Sequence, residues 1–186
     1  MLTKPYYSCN LNHISQPFGV NPNNLQPKGH LGTDFAFFGC YGTFLVAPED
    51  VKIKLVIDSE TFDFEKFPEN LSKGYGVLMT SLANPDMDYL FWHLLPNIPV
   101  RKEDTLMRGD VVGQIGNSGM VFVGGQLVPI EHRTKPPYPG THLHAEARLN
   151  NKYVDIVPLI DFSLPVERVK GEWIAKVLAQ ISRFFK

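Results

Sequence analysis

The sequence predicts a mainly β protein built on an antiparallel sheet, and three observations carry that expectation. Val51-Lys52-Ile53-Lys54-Leu55-Val56-Ile57 alternates at the period of a half-buried strand. Gly76–Thr80 and Tyr89–His93 are two further strand-like runs, and the turn former Asn84-Pro85-Asp86 between them makes them a hairpin. Glycine and proline, fifteen of each, are spread along the chain rather than pooled in a linker, which suits short strands joined by tight turns.

The remaining elements follow in chain order. Phe44–Ala47 reads as a strand ahead of Val51–Ile57, and Val111–Gly116 and Thr141–Leu149 read as strands after the hairpin. Two loops stand out. Glu60–Lys73 is charged and aromatic, and Met120–Gly140 holds Pro129, Pro136, Pro137 and Pro139, poor material for a sheet. The second loop enters directly on His142, so it either binds a substrate or is a plain surface excursion. Tyr138 within it lines the site or packs inside the loop, stiffened by its flanking prolines.

From Gly171 onward Trp173, Ile174, Val177, Leu178, Ile181, Phe184 and Phe185 fall at helical spacing. This amphipathic helix either packs back onto the sheet or, with Lys176, Arg183 and Lys186, contacts a membrane or a partner. The chain then divides into a β domain over 1–165 and a helical extension over 166–186.

Composition sets limits on function. The chain has 186 residues, enough for one sizeable core, and 44% of them are hydrophobic, well above a disordered composition. Lys plus Arg total 18 against 19 Asp plus Glu, so the basic excess of a nucleic-acid binder is missing. Cys9 and Cys40 form no CxxC pattern and read as small buried residues rather than ligands or a disulfide. The N-terminal stretch carries no signal-peptide pattern and no segment has the length and apolarity of a membrane span, so the expectation is a protein made in the cytoplasm.

The chemistry is concentrated in a few residues. Thr141-His142-Leu143-His144 places two histidines on one face of a strand, and Gly29-His30-Leu31-Gly32-Thr33-Asp34 adds an imidazole and a carboxylate from a distant segment. Imidazoles with one carboxylate, leaving a coordination position open, are the donors of a catalytic zinc. No His-Glu-x-x-His is present to supply a helix-borne base, so neutral imidazole is the natural proton acceptor near pH 7. Alternation in Tyr89-Leu90-Phe91-Trp92-His93 puts His93 with Phe91 and Tyr89, opposite Trp92. Glu146 shares the His144 face, either behind the metal or as an exposed strand carboxylate; His13 reads as a surface residue and His132 as a solvated loop histidine.

These features have a fixed order: His30-x-x-x-Asp34, Trp92-His93, the glycine-rich Arg108–Gly119, then His142-Leu143-His144. That order resembles the LytM/lysostaphin-type zinc metallopeptidases, which cut the peptide part of bacterial cell walls, and the resemblance runs from about Gln16 to Arg148. It implies a small antiparallel sheet with a metal-floored groove. It implies His30, Asp34 and His144 as ligands of one zinc ion, and His93 and His142 as catalytic histidines outside the metal shell. One of these two accepts the proton of the attacking water and the other serves the oxyanion or the leaving amine, in either assignment. The chain departs from the family where Val20-Asn21-Pro22 follows Phe18-Gly19 in place of the frequent arginine, and in the length of Met120–Gly140. These departures bear on substrate choice rather than on the metal.

The implied function is a zinc-dependent endopeptidase acting on stem peptides or cross-bridges of peptidoglycan. The lack of a leader pattern then suits a phage-type lysin, a virion-associated component, or a chain whose leader is missing from this sequence. The alternative is a wall-binding or regulatory relative without catalysis, against which the full set of ligand types stands. A phosphocarrier domain with a histidine pair is a third reading, disfavoured because Asp34 would repel a phosphorylated histidine.

Overall fold

The computed structural model describes residues 1–6, 13–21, 26, 28–58 and 73–163. The helix expected within 166–186, and the loop over 60–73 apart from Lys73, lie outside the described residues.

An eight-stranded sheet carries the architecture. Its strands are β1 (Ile14–Gln16), β2 (Thr33–Phe35), β4 (Val51–Ile57), β5 (Gly76–Ser81), β6 (Met87–Trp92), β7 (Thr105–Leu106), β11 (Leu143–Leu149) and β12 (Lys152–Val154). They run in the order β1-β2-β11-β6-β5-β4-β7, with β12 also on β11, and every ladder is antiparallel. β3 (Phe44–Val46) pairs with β8 (Val111–Gln114) in a second ladder. The expected β5–β6 hairpin is present, turning at Asn84–Asp86, where the Ser81 and Asn84 side chains accept from the Asn84 and Asp86 amides.

One face of the large sheet builds the core. Phe35, Ile53, Val77, Met79, Tyr89, Phe91, Leu143, Ala145 and Ala147 lie on it and pack with Leu45 and Val112 of the second ladder. Burying such side chains stabilises by roughly 1.5–3 kcal/mol each for the larger ones. The alternation of β4 does not persist to its end. A bulge between Ile53 and Leu55 leaves Leu55 exposed and sends Ile57 to the opposite face, against Leu90 and Trp92.

The 120–140 loop is more regular than its prolines foretold. Gly124 and Gly125 both take positive φ, the geometry of a two-residue hairpin turn, and join β9 (Phe122–Val123) to β10 (Gln126–Leu127). The prolines come later, around the short helix α1 (Ile130–Arg133). Among the described residues no helix is long and apolar enough to cross a membrane.

Candidate metal centre

The face opposite the core carries the chemistry. Asp34 of β2 and His144 of β11 are directly paired in the ladder, so their side chains stand side by side. His144 is paired on its other flank with Trp92, the last residue of β6. His30 lies four residues before Asp34 on the approach to β2 and is 1% exposed. Gly32 between them is required by space: a Cβ there would lie 2.6 Å from the Ala145 carbonyl and 2.9 Å from the His144 ring.

The structure keeps His142 on the His144 side, with Nε2 3.7 Å from Asp34 Oδ2, but places it outside the strand, and it corrects the aim expected of His93. β11 begins at Leu143, so His142 precedes the strand and is held instead by its own backbone, whose N–H donates to the Gly116 carbonyl at 3.3 Å. β6 ends at Trp92, and His93 takes φ 62. This left-handed turn breaks the alternation that would have put His93 with Phe91 and Tyr89. Its ring instead lies 4.4 Å from that of His142 and 6.0 Å from that of His144. His30, Asp34, His93, His142 and His144 thus share one cluster.

Hydrogen bonds fix which ring nitrogen each histidine aims inward. A carbonyl or carboxylate can only accept, so the nitrogen facing it carries the proton. His30 Nδ1 donates to the Pro17 carbonyl at 3.1 Å, His93 Nδ1 to Ser118 at 2.7 Å and His142 Nδ1 to Gly140 at 2.9 Å. His144 faces a carboxylate with both nitrogens, Nε2 with Glu146 Oε1 at 3.1 Å and Nδ1 with Asp34 Oδ1 at 2.7 Å, so each donates while no metal is bound. The inward atoms of three residues converge. His30 Nε2 lies 2.9 Å from His144 Nδ1 and 3.1 Å from Asp34 Oδ1, and His144 Nδ1 lies 2.7 Å from Asp34 Oδ1. Three metal-ligating atoms gathered this closely call for a positive charge among them, a proton or a metal ion. Two imidazole nitrogens and a carboxylate oxygen, each ring held from behind by its other nitrogen, fit zinc. Among the described residues, His30, Asp34 and His144 form a group that could hold a metal ion.

The electrostatics agree. Burial pushes the Asp34 carboxyl up, but the imidazoles against it, His144 first and then His30, outweigh burial and hold the group far below the usual carboxylate range. Burial lowers the His144 imidazole, yet the Asp34 and Glu146 carboxylates raise it above its ordinary value. The raised value favours a second proton on His144 between the two carboxylates when no metal is bound, and a metal ion held there would take its place. Burial, reinforced by the neighbouring imidazoles, drives His93 well below 6.5, and burial lowers His142 as well. Both outer rings are neutral at pH 7. The His142 and Asp34 side chains keep 15% and 13% exposure, so the cluster is open to solvent on their side.

Glu146 is wholly buried behind His144 and is not the exposed carboxylate of the alternative reading. Burial pushes its pKa up, but the His144 hydrogen bond and the Lys73 ammonium bring it down to about 2. The turn Gly116-Asn117-Ser118-Gly119 does two jobs. Ser118 accepts from His93, while Asn117 Nδ2 donates to the Arg133 and Pro139 carbonyls at 3.1 and 3.2 Å. Arg133 is buried inside the 120–140 loop and donates to the carbonyls of Val128 and Gly119. Lys73, Asn117 and Arg133 escaped the sequence reading because the partner of Lys73 is 73 positions away and the partners of Asn117 and Arg133 are backbone carbonyls, which leave no side-chain motif.

Other expectations resolve as follows. Tyr138 takes φ 54 and stacks on Tyr41, with ring centroids 3.9 Å apart. His132 is exposed. His13 is half-buried rather than on the surface, packed 5.0 Å from the Phe37 ring. Cys40 is a buried free thiol that donates to the Thr141 carbonyl at 3.6 Å.

No family model matches the chain, and no curated protein matches it. Solved structures do. A zinc containing peptidase from Vibrio cholerae is 21% identical with TM-score 0.58, over 88% of this chain and 40% of its own. LytU is 20% identical with TM-score 0.56, over 83% of this chain and 88% of its own. The antimicrobial peptidase lysostaphin from Staphylococcus simulans is 19% identical with TM-score 0.56, over 84% of this chain and 54% of its own. This chain therefore spans less than half of the Vibrio peptidase and about half of lysostaphin, but most of LytU. At these identities the likeness establishes architecture, and the architecture is that of the LytM/lysostaphin-type peptidases.

Proposed function

We propose that this protein is a zinc-dependent endopeptidase that hydrolyses peptide bonds of bacterial peptidoglycan, in the stem peptide or the cross-bridge. The observation that carries the reading is the convergence of His30 Nε2, Asp34 Oδ1 and His144 Nδ1, with His93 and His142 beside them. The peptidoglycan part rests on the motif order that resembles the LytM/lysostaphin type, together with the shared fold.

His30, Asp34 and His144 would hold the metal. Zinc bound there would supply Lewis acidity toward a carbonyl and lower the pKa of a water. The other tasks fall to the outer histidines. His93 and His142 each carry a proton on Nδ1 and present an unprotonated Nε2. Both are neutral at pH 7, so either takes a proton from the attacking water. The ring that takes this proton becomes the imidazolium, whose charge faces the oxyanion, and the proton then passes to the leaving amine, directly or by way of the other ring. Backbone carbonyls fix both rings, which removes reorientation from the reaction.

The test is digestion of purified walls of several chemotypes, with and without a chelator, followed by mass analysis. The reading expects fragments with new amino termini, lost with chelator and regained on adding zinc. Intact walls from every chemotype, with zinc supplied, would contradict it.

A further inference from the structure

The candidate ligand His144 is backed by an ion pair that no sequence motif announces. Glu146 Oε1 receives both His144 Nε2–H, at 3.1 Å, and the Lys73 ammonium, at 2.5 Å. Its other oxygen lies 3.4 Å from Arg148 Nη2, which is already engaged by the Tyr153 hydroxyl at 2.6 Å. Lys73 is therefore the closer of the two fixed cations, Lys73 and Arg148, paired with a carboxylate that has no exposure of its own. The Lys73 ammonium also lies 5.1 Å from the centroid of Trp92, the residue paired with His144 in the ladder.

The same residue reaches the other half of the site. The Lys73 carbonyl accepts the backbone N–H of His93 at 3.2 Å, where the chain leaves β6. Two residues on, the Tyr75 N–H donates to Ser118 Oγ at 2.9 Å, and the Ser118 carbonyl holds the His93 ring. Segment 73–75 thus touches His144 through a side chain and His93 through backbone.

We propose that Lys73 is a positioning residue of the metal centre: acting through Glu146, it fixes His144 with Nε2 protonated and Nδ1 free for the metal. Without Lys73, Glu146 is a buried anion short of a partner, and the His144 ring loses the charge arrangement that selects its tautomer. This inference rests on the reading of His144 as a metal ligand.

The test measures zinc affinity of the full chain by competition with a chromophoric chelator, together with the imidazole nitrogen shifts of His144. Glu146→Gln weakens zinc binding by about 10–100-fold, and Lys73→Met by about tenfold, the range typical of groups that orient a ligand. Lys73→Arg keeps the cation and recovers most of the affinity. Lys73→Met added to Glu146→Gln costs little more, since the lysine acts through the carboxylate. Wild-type affinity in Lys73→Met, or an equal loss in the Glu146→Gln background, overturns the inference while leaving the metal site standing. A wild-type chain that takes up no zinc overturns the proposed function and this inference together.

Discussion

Asp34 and His144 face each other across the β2–β11 ladder, and their 2.7 Å contact is a consequence of strand register. A slip of one residue would exchange His144 for Leu143 or Ala145, both fully buried in the core. The hydrophobic pattern of β11 therefore fixes the geometry of the candidate metal site: Leu143, Ala145 and Ala147 take the core face, which leaves His144 and Glu146 to the other.

Gly32 is where that register is tightest. Gly32→Ala places a methyl 2.6 Å from the Ala145 carbonyl and 2.9 Å from the His144 ring. The backbone contact cannot rotate away, so the substitution costs about 1–3 kcal/mol of stability and displaces His144. Urea unfolding of the metal-free chain, with a parallel zinc titration, should show both losses.

His93→Ala and His142→Ala should keep the metal and lose turnover by about 10²–10⁴, the contribution of a positioned acid or base. Metal content and wall digestion are measured on the same preparations. Loss of metal from His142→Ala would erase the division between ligands and catalysts.

The pH profile follows from burial. His93 and His142 are both depressed below 6.5, so each stays neutral through pH 7 and charges only as pH falls below that value. Activity is level near neutrality and declines on the acid side with an apparent pKa below 6.5. A decline centred above 6.5, or none down to roughly pH 4, argues against imidazole bases.

Much of this was legible in the residues. The apolar run Val51–Ile57 marked the bounds of β4, though not the bulge that breaks its alternation, Asn84-Pro85-Asp86 marked the hairpin, and His142-x-His144 with His30 and Asp34 marked the cluster. β1, β2, β7 and β12 were missed because strands of two or three residues show no period. The face of His93 was misread because nothing in Phe91-Trp92-His93 announces a left-handed residue. The hairpin at 122–127 was hidden by prolines that lie beyond it, although Gly124-Gly125 was the signal for it. The role of Lys73 was invisible because its partner is 73 positions away.

Arg133 offers a check on the 120–140 loop, since its guanidinium supplies donors to Val128 and Gly119 from a buried position. Arg133→Met leaves those carbonyls unpaired at a cost of about 1–3 kcal/mol. Limited proteolysis should then cut within 120–140 faster than in the wild type, with the rest of the chain protected.

The central claim is that His30, Asp34 and His144 grip one dication. Its most direct measurement is elemental analysis of the natively purified full chain beside Asp34→Ala and His144→Ala, before and after dialysis against zinc. One zinc per wild-type chain, and none retained by either variant, is the predicted result. A wild-type chain that holds no transition metal and takes none up, or variants that bind zinc as the wild type does, would contradict it.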